Sequence, residues 1–163
     1  MRAPGPTRRD FLRGRNADPP LRPPWALAES EFTDLCTRCG ECERACPQDI
    51  VRRGDGGFPE VDLRGGECTF CGRCADACEA GAFGSRAERP WQLRIAISDA
   101  CFARRGVLCR SCGDACAHRA IAFRHAGSPI PAPIVDAQAC TGCGACIGVC
   151  PADAITASPE VTA

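Results

Sequence analysis

Sixteen cysteines fall into four groups of four, and no other feature of this 163-residue chain restricts its folding as strongly. The groups are Cys36, Cys39, Cys42 and Cys46; Cys68, Cys71, Cys74 and Cys78; Cys101, Cys109, Cys112 and Cys116; and Cys140, Cys143, Cys146 and Cys150. A short chain this rich in cysteine is held by disulfides or by metal. Disulfide frameworks belong to oxidising compartments, and cysteines two residues apart are poorly placed to scatter into long-range bridges, so the repeated tight spacing favours metal. Structural zinc sites pair one Cys-x2-Cys with a second ligand pair well downstream. Here three thiols share one loop and a fourth follows after three residues, which argues against zinc.

Three of the groups keep the spacing Cys-x2-Cys-x2-Cys-x3-Cys, and two of these end in Cys-Pro, at Cys46-Pro47 and Cys150-Pro151. This pattern resembles the bacterial ferredoxin signature for thiolate ligation of iron–sulfur clusters. Each group supplies a complete thiolate set, so four [4Fe-4S] clusters are expected, with all sixteen cysteines as metal ligands. Gly40, Gly72 and Gly144 follow the second cysteine of groups one, two and four. A residue without a side chain can take positive φ there and turn amide hydrogens toward cluster sulfur, so these three are candidate cofactor-binding residues. The third group departs from the pattern. Seven residues separate Cys101 from Cys109, and Arg110 stands where the others have glycine. Positive charge and altered burial raise the potential of a cluster, so this site is expected to differ from its neighbours, with Arg110 carrying part of the effect. His118 and His125 lie close by and read as solvated or capping residues.

The groups recur about every three dozen residues, as in a repeat architecture. Each repeat has a cysteine-rich loop, then a helical segment after the fourth cysteine carrying an apolar residue (Ile50, Phe83, Ile121, Ile155) that folds back over the cluster. Strand-like stretches at 56–63, 91–97 and 130–136 should form edge hairpins. The expected fold is α+β: two tandem bacterial 2[4Fe-4S] ferredoxin-like modules, with small hairpins and short helices around the clusters. An extended Arg/Pro-rich arm would occupy 1–30, the first module 31–89 and the second 90–163. In two-cluster ferredoxins the fourth cysteine of one motif ligates the cluster of the other. That resemblance implies sets of Cys36, Cys39, Cys42 and Cys78; Cys68, Cys71, Cys74 and Cys46; Cys101, Cys109, Cys112 and Cys150; and Cys140, Cys143, Cys146 and Cys116. A nested pairing, group one with four and two with three, stays open.

Residues 1–30 hold six of the 14 prolines and six arginines, a composition that stays extended. The segment reads either as a disordered arm or as a docking segment anchored on Trp25 and Phe32. Within it, Thr7-Arg8-Arg9-Asp10-Phe11-Leu12-Arg13 is similar to a twin-arginine export signal, but a polar, proline-broken stretch follows where an apolar segment of about 7 to 15 residues is needed. A cytoplasmic location is expected. The 20 basic and 20 acidic side chains cancel, which gives no global attraction to nucleic acid or anionic lipid. No stretch reaches the roughly 18 apolar residues of a membrane span. No nucleophile–base pair, phosphate loop or matched carboxylate pair stands out, so the chain reads as a non-enzyme.

Together, Arg8-Arg9-x-Phe11-Leu12, Arg22-Pro23-Pro24-Trp25, the Asp99-Ala100-Cys101 opening of the third group and Thr141-Gly142-Cys143-Gly144-Ala145-Cys146 resemble the NapF-type family of ferredoxin-type proteins. The seven-residue gap of group three is the more specific marker. That resemblance implies a cytoplasmic accessory protein of bacterial periplasmic nitrate reductase. Its implied partner is the catalytic subunit of that enzyme, met as the unexported precursor, and its implied role is maturation by supply of electrons or iron–sulfur units. The alternative is an ordinary electron carrier to a redox enzyme. The neutral surface favours a specific partner, since diffusing carriers commonly use a strongly charged face for steering.

Overall fold

Each cysteine group builds a similar short piece of backbone. A computed structural model describes residues 20–91, 93–125 and 127–159. After α1 (Glu29–Leu35) come four helices of a single turn: α2 (Glu41–Arg44), α3 (Arg73–Asp76), α4 (Ser111–Asp114) and α5 (Ala145–Gly148). Each buries the third cysteine of its group, Cys42, Cys74, Cys112 or Cys146. The fourth cysteine lies just beyond the helix, and the chain then turns sharply. Asp49, Gly81, Arg119 and Asp153, each three residues past a fourth cysteine, have φ between 46° and 68°. The expected helix after each fourth cysteine therefore lies before it, because this left-handed turn ends the helical path. Past the turn the chain runs extended.

Three two-stranded antiparallel sheets result. In the first, β1 (Val51–Arg53) pairs with β2 (Pro59–Val61), Val51 opposite Val61. The connection turns on Gly56 and Gly57, at φ 67° and 81°, values that suit a residue without Cβ. In the second half β4 (Ile121–Arg124) pairs with β5 (Ala132–Val135), Ile121 opposite Val135. The strand-like stretches at 56–63 and 130–136 thus lie in hairpins. The stretch at 91–97 does not: β3 (Leu93–Ile97) pairs with β6 (Ile155–Pro159), across the whole second half. The matching closure of the first half is one bridge, Ala26 to Phe83, beside Leu27 N–H to Ala82 O (3.2 Å) and Gly84 N–H to Trp25 O (2.8 Å).

Residues 20–30, expected from composition to belong to an extended arm, pack against the first half. Phe32 of α1 is fully buried and meets Phe83 edge-on at 5.8 Å. The Arg22 guanidinium lies 5.5 Å from the ring centres of both Phe32 and Phe58, donates to the Pro59 carbonyl (2.9 Å) and pairs with Glu29. Trp25 donates its indole N–H to the Glu88 carbonyl (3.0 Å). The arginine-pair motif at 8–13 lies outside the described residues, as does the rest of the proposed arm up to residue 19.

The two halves meet through a polar and an apolar seam. Cys68 N–H donates to the Cys143 carbonyl at 2.8 Å. Trp91 stands edge-on to Phe70 at 5.8 Å and donates its indole N–H to the Thr141 carbonyl at 3.3 Å. Ile147 and Leu93 pack on the cluster formed by Ile50, Val51, Val61 and Leu63. Each such buried aliphatic side chain contributes about 1.5–3 kcal/mol.

Candidate metal centres

The short helices and left-handed turns bring the sixteen thiols to four cavities. The first, of about 450 Å³ counting its open mouth, is walled by Cys36, Cys39, Cys42 and Cys78. The second, about 350 Å³, has Cys46, Cys68, Cys71 and Cys74. Cys101, Cys109, Cys112 and Cys150 line the third, about 340 Å³, and Cys116, Cys140, Cys143 and Cys146 the fourth, about 360 Å³. Three thiols of every set come from one group and the fourth from the adjacent group, in the sequential arrangement rather than the nested one. Each fourth cysteine, just past its helix, faces the cavity of the neighbouring group.

The apolar residues expected to fold back beyond each fourth cysteine close the cavity that this cysteine joins. Ile50 lines the second, Phe83 the first, Ile121 the fourth and Ile155 the third. Gly40, Gly72 and Gly144 line the first, second and fourth, with φ of 80°, 77° and 85° as the N-terminal caps of their helices. Arg110 holds the same place in group three with φ −131°, a conformation open to any residue. Its guanidinium lies 4.4 Å from the ring centre of Phe123, and Arg110 is not among the residues lining the third cavity. The charge assigned to Arg110 is therefore held on an aromatic face. Ser111 lines that cavity instead, its hydroxyl 3.7 Å from Cys109 Sγ. His118 lines the fourth cavity, and His125 Nδ1 contacts the Ser128 carbonyl (3.1 Å).

Electrostatics suit a centre that replaces protons with metal. Burial pushes the Cys42 and Cys68 thiols up to about 11 and those of Cys74 and Cys146 to about 12. Burial raises Cys112 as well. Exposed Cys39 is lowered, chiefly by the Glu41 amide at the start of α2 and then by the Thr37 hydroxyl. Donors aimed at sulfur are already in place: Phe70 N–H to Cys68 (3.4 Å), Ala120 N–H to Cys116 (3.3 Å) and Ala154 N–H to Cys150 (3.4 Å). Thr141 Oγ1, in the wall of the fourth cavity, is buried without a hydrogen-bond partner. Such an orphaned hydroxyl fits an acceptor inside the cavity. Among the described residues no three His, Cys, Asp or Glu side chains gather around a point small enough for one ion. The thiols instead ring spaces of similar size, an arrangement that fits a polynuclear iron–sulfur group.

Two stretches of the chain, 35–82 and 107–154, match a 4Fe-4S dicluster domain, together more than half of its length. A second 4Fe-4S dicluster model matches 9–51. Ferredoxin-type protein NapF of Escherichia coli K12 is 46% identical over 153 residues, 93% of each chain. The chain belongs to the NapF family of ferredoxin-type proteins. NapF of Haemophilus influenzae is 42% identical over 136 residues, 83% of this chain and 77% of that one. A methylamine utilization ferredoxin-type protein, MauM of Methylorubrum extorquens, is 33% identical over 144 residues, 77% of this chain and 66% of its own. Each dicluster match covers one hairpin and one pair of cysteine helices, so the NapF-type chain carries tandem dicluster domains. The second match begins after Cys101, where the seven-residue gap departs from the common spacing. Among the described residues no helix is long and apolar enough to cross a membrane.

Ser111 and Phe70 draw no notice in the sequence, and Trp91 and Thr141 stand out only as the start of a strand-like stretch and of a family-like motif, not as parts of the sites. Nothing in the local pattern marks Trp91, whose role depends on a contact fifty residues away along the chain. Ser111 and Thr141 could have been noticed as hydroxyl residues between or beside ligands.

Proposed function

We propose that the sixteen cysteines bind four [4Fe-4S] clusters in the four sets that line the cavities, with Gly40, Gly72 and Gly144 giving the backbone room beside three of them. The observation that carries this is the wall of each cavity: three thiols from one group, one from its neighbour, and an apolar lid behind the fourth. The division is an arm at 1–30 with modules at 31–89 and 90–163, residues 20–30 serving as its anchor on the first module. Bound there, each cluster accepts and returns single electrons, while the chain's amides and hydroxyls fix its potential.

The protein acts as a cytoplasmic accessory factor, not a catalyst. Its partner is the catalytic subunit of periplasmic nitrate reductase, met as the precursor before export, and it assists maturation by giving electrons or iron–sulfur units. Family membership and the neutral net charge support this reading over a freely diffusing carrier. The kinship to a methylamine utilization protein supports the second reading, a ferredoxin-type carrier serving another redox enzyme. An anaerobic pull-down with the cluster-loaded protein tests the two. Capture of the cofactor-free precursor in preference to the mature enzyme is the expected result, and binding to neither returns the case to the general carrier.

A further inference from the structure

The second and fourth cavities belong to different halves of the chain, yet their walls touch. Cys68, of the second, donates its amide hydrogen to the carbonyl of Cys143, of the fourth, at 2.8 Å. A second connection runs through side chains. Phe70 lines the second cavity and meets Trp91 edge-on at 5.8 Å, and Trp91 donates to the carbonyl of Thr141, which lines the fourth. The contact is close-packed on both sides of the seam. A Cβ at Gly148 would lie 2.6 Å from the Arg64 carbonyl oxygen, and one at Gly144 2.7 Å from the Leu63 methyls. Within each half the paired cavities are joined by the exchanged fourth cysteines and by buried contacts, Cys42 with Cys74 in one core cluster and Cys112 with Cys146 in another.

From this adjacency we infer that the two halves form one electron path, crossing between them at Cys68–Cys143, so that the outer cavities of Cys36 and Cys101 are its two ends. The inference rests on the four-cluster reading above. Electron tunnelling falls off exponentially with distance, so the order of contacts sets the route: first cavity, second, fourth, third. Each step moves one electron; the site that gives it is oxidised by one, the site that takes it is reduced by one, and no bond or proton changes place. A low-potential one-electron reductant supplies the first electron from outside. Two separate two-cluster units joined by a tether would need no such contact.

The test uses the full chain with Cys36, Cys39, Cys101 and Cys109 all changed to alanine. This leaves two thiols at each outer cavity and complete sets only at the two inner ones. Iron and sulfide analysis should give two clusters per chain. After reduction with dithionite, electron paramagnetic resonance should show a spectrum split and broadened by interaction between two neighbouring paramagnets. Two clusters with two independent, unsplit signals would overturn the path and leave the ligand sets standing. Any other cluster content would overturn the ligand sets, and the path with them. A second variant guards against misfolding. Gly148→Val in the otherwise unaltered chain drives a side chain into the Arg64 carbonyl, and with all four clusters retained the part of the interaction that crosses the seam should disappear. An unchanged spectrum in that variant counts against the path.

Discussion

Changing Ser111 to alanine should lower the reduction potential of the Cys101, Cys109, Cys112 and Cys150 site by about 40 mV. The Ser111 hydroxyl lies 3.7 Å from Cys109 Sγ, and against a thiolate it is the hydroxyl that donates. Hydrogen bonds to charged groups contribute about 1.5–3 kcal/mol. An added electron spreads over the whole centre, so a single thiolate gains only part of the new charge, and the difference between the two oxidation states is about 1 kcal/mol. For a one-electron couple, with 59 mV per tenfold change in the equilibrium, that is roughly 40 mV. The sign comes from charge: a donor favours the more negative, reduced state, so its loss lowers the potential. The assay is an anaerobic redox titration followed by electron paramagnetic resonance, with the other three sites as internal references. Ser111→Thr keeps the hydroxyl and should hold the parent value. A shift below about 10 mV, or one upward, would refute the argument and return the special character of this site to its seven-residue gap.

Phe32→Ala removes a fully buried ring that touches Phe83 and Arg22, and should cost about 3–5 kcal/mol, read as a lower denaturant midpoint of the cluster-loaded protein. Gly144→Ala should lower cluster occupancy far more than Gly81→Ala: both sit at positive φ, but a Cβ at Gly144 strikes Leu63 while one at Gly81 meets open space, and iron per chain in the two variants checks it. Cluster insertion should be favoured by rising pH between about 7 and 9, because the Cys42, Cys68, Cys74 and Cys146 thiols, held at about 11 to 12 by burial, are protonated throughout that window and must lose their protons to solvent as metal binds. Proton release on anaerobic reconstitution in weakly buffered solution measures the effect, and reconstitution without release would contradict it.

Spacing makes the local structure legible and leaves the long-range pairing open. Three residues between third and fourth cysteine leave room for one helical turn, and a glycine after the second cysteine marks a left-handed cap, so Gly40, Gly72 and Gly144 stand out in the sequence. Sequence puts the helix on the wrong side of the fourth cysteine because Asp49, Arg119 and Asp153 take positive φ although none of them is glycine; aspartate is only a weak sign of that conformation, and arginine gives none. The partner of β3 could not be read from its own alternation, since β6 lies some sixty residues further on and a hairpin is always the shorter guess. Arg110 leaves a different question open. Sequence places a charge beside Cys109, and only the structure shows that the guanidinium rests 4.4 Å from the ring centre of Phe123.

The exchange of fourth cysteines separates a chain of four independent sites from one of two interlocked pairs, and Cys150 tells them apart. By sequence it belongs with Cys140, Cys143 and Cys146; in space it stands in the third cavity with Cys101, Cys109 and Cys112. Cys150→Ser should therefore disturb the site beside Ser111 and spare the one beside Thr141. In a redox titration, the component that responds to Ser111→Ala should be the one altered or lost, while the signals of the other three keep their midpoints. Ala154 N–H donates to Cys150 Sγ, and Ile155 behind it covers the same cavity, so the backbone beyond this cysteine is shaped to the third site as well. Damage confined to the group-four signal would mean that each motif keeps its own four thiolates and that the observed cavities are not the binding sites. Damage to the third site gives the exchange a consequence for assembly: neither ligand set of a hairpin unit is complete until both of its cysteine groups have folded, so neither cluster should insert before the other's loop is in place.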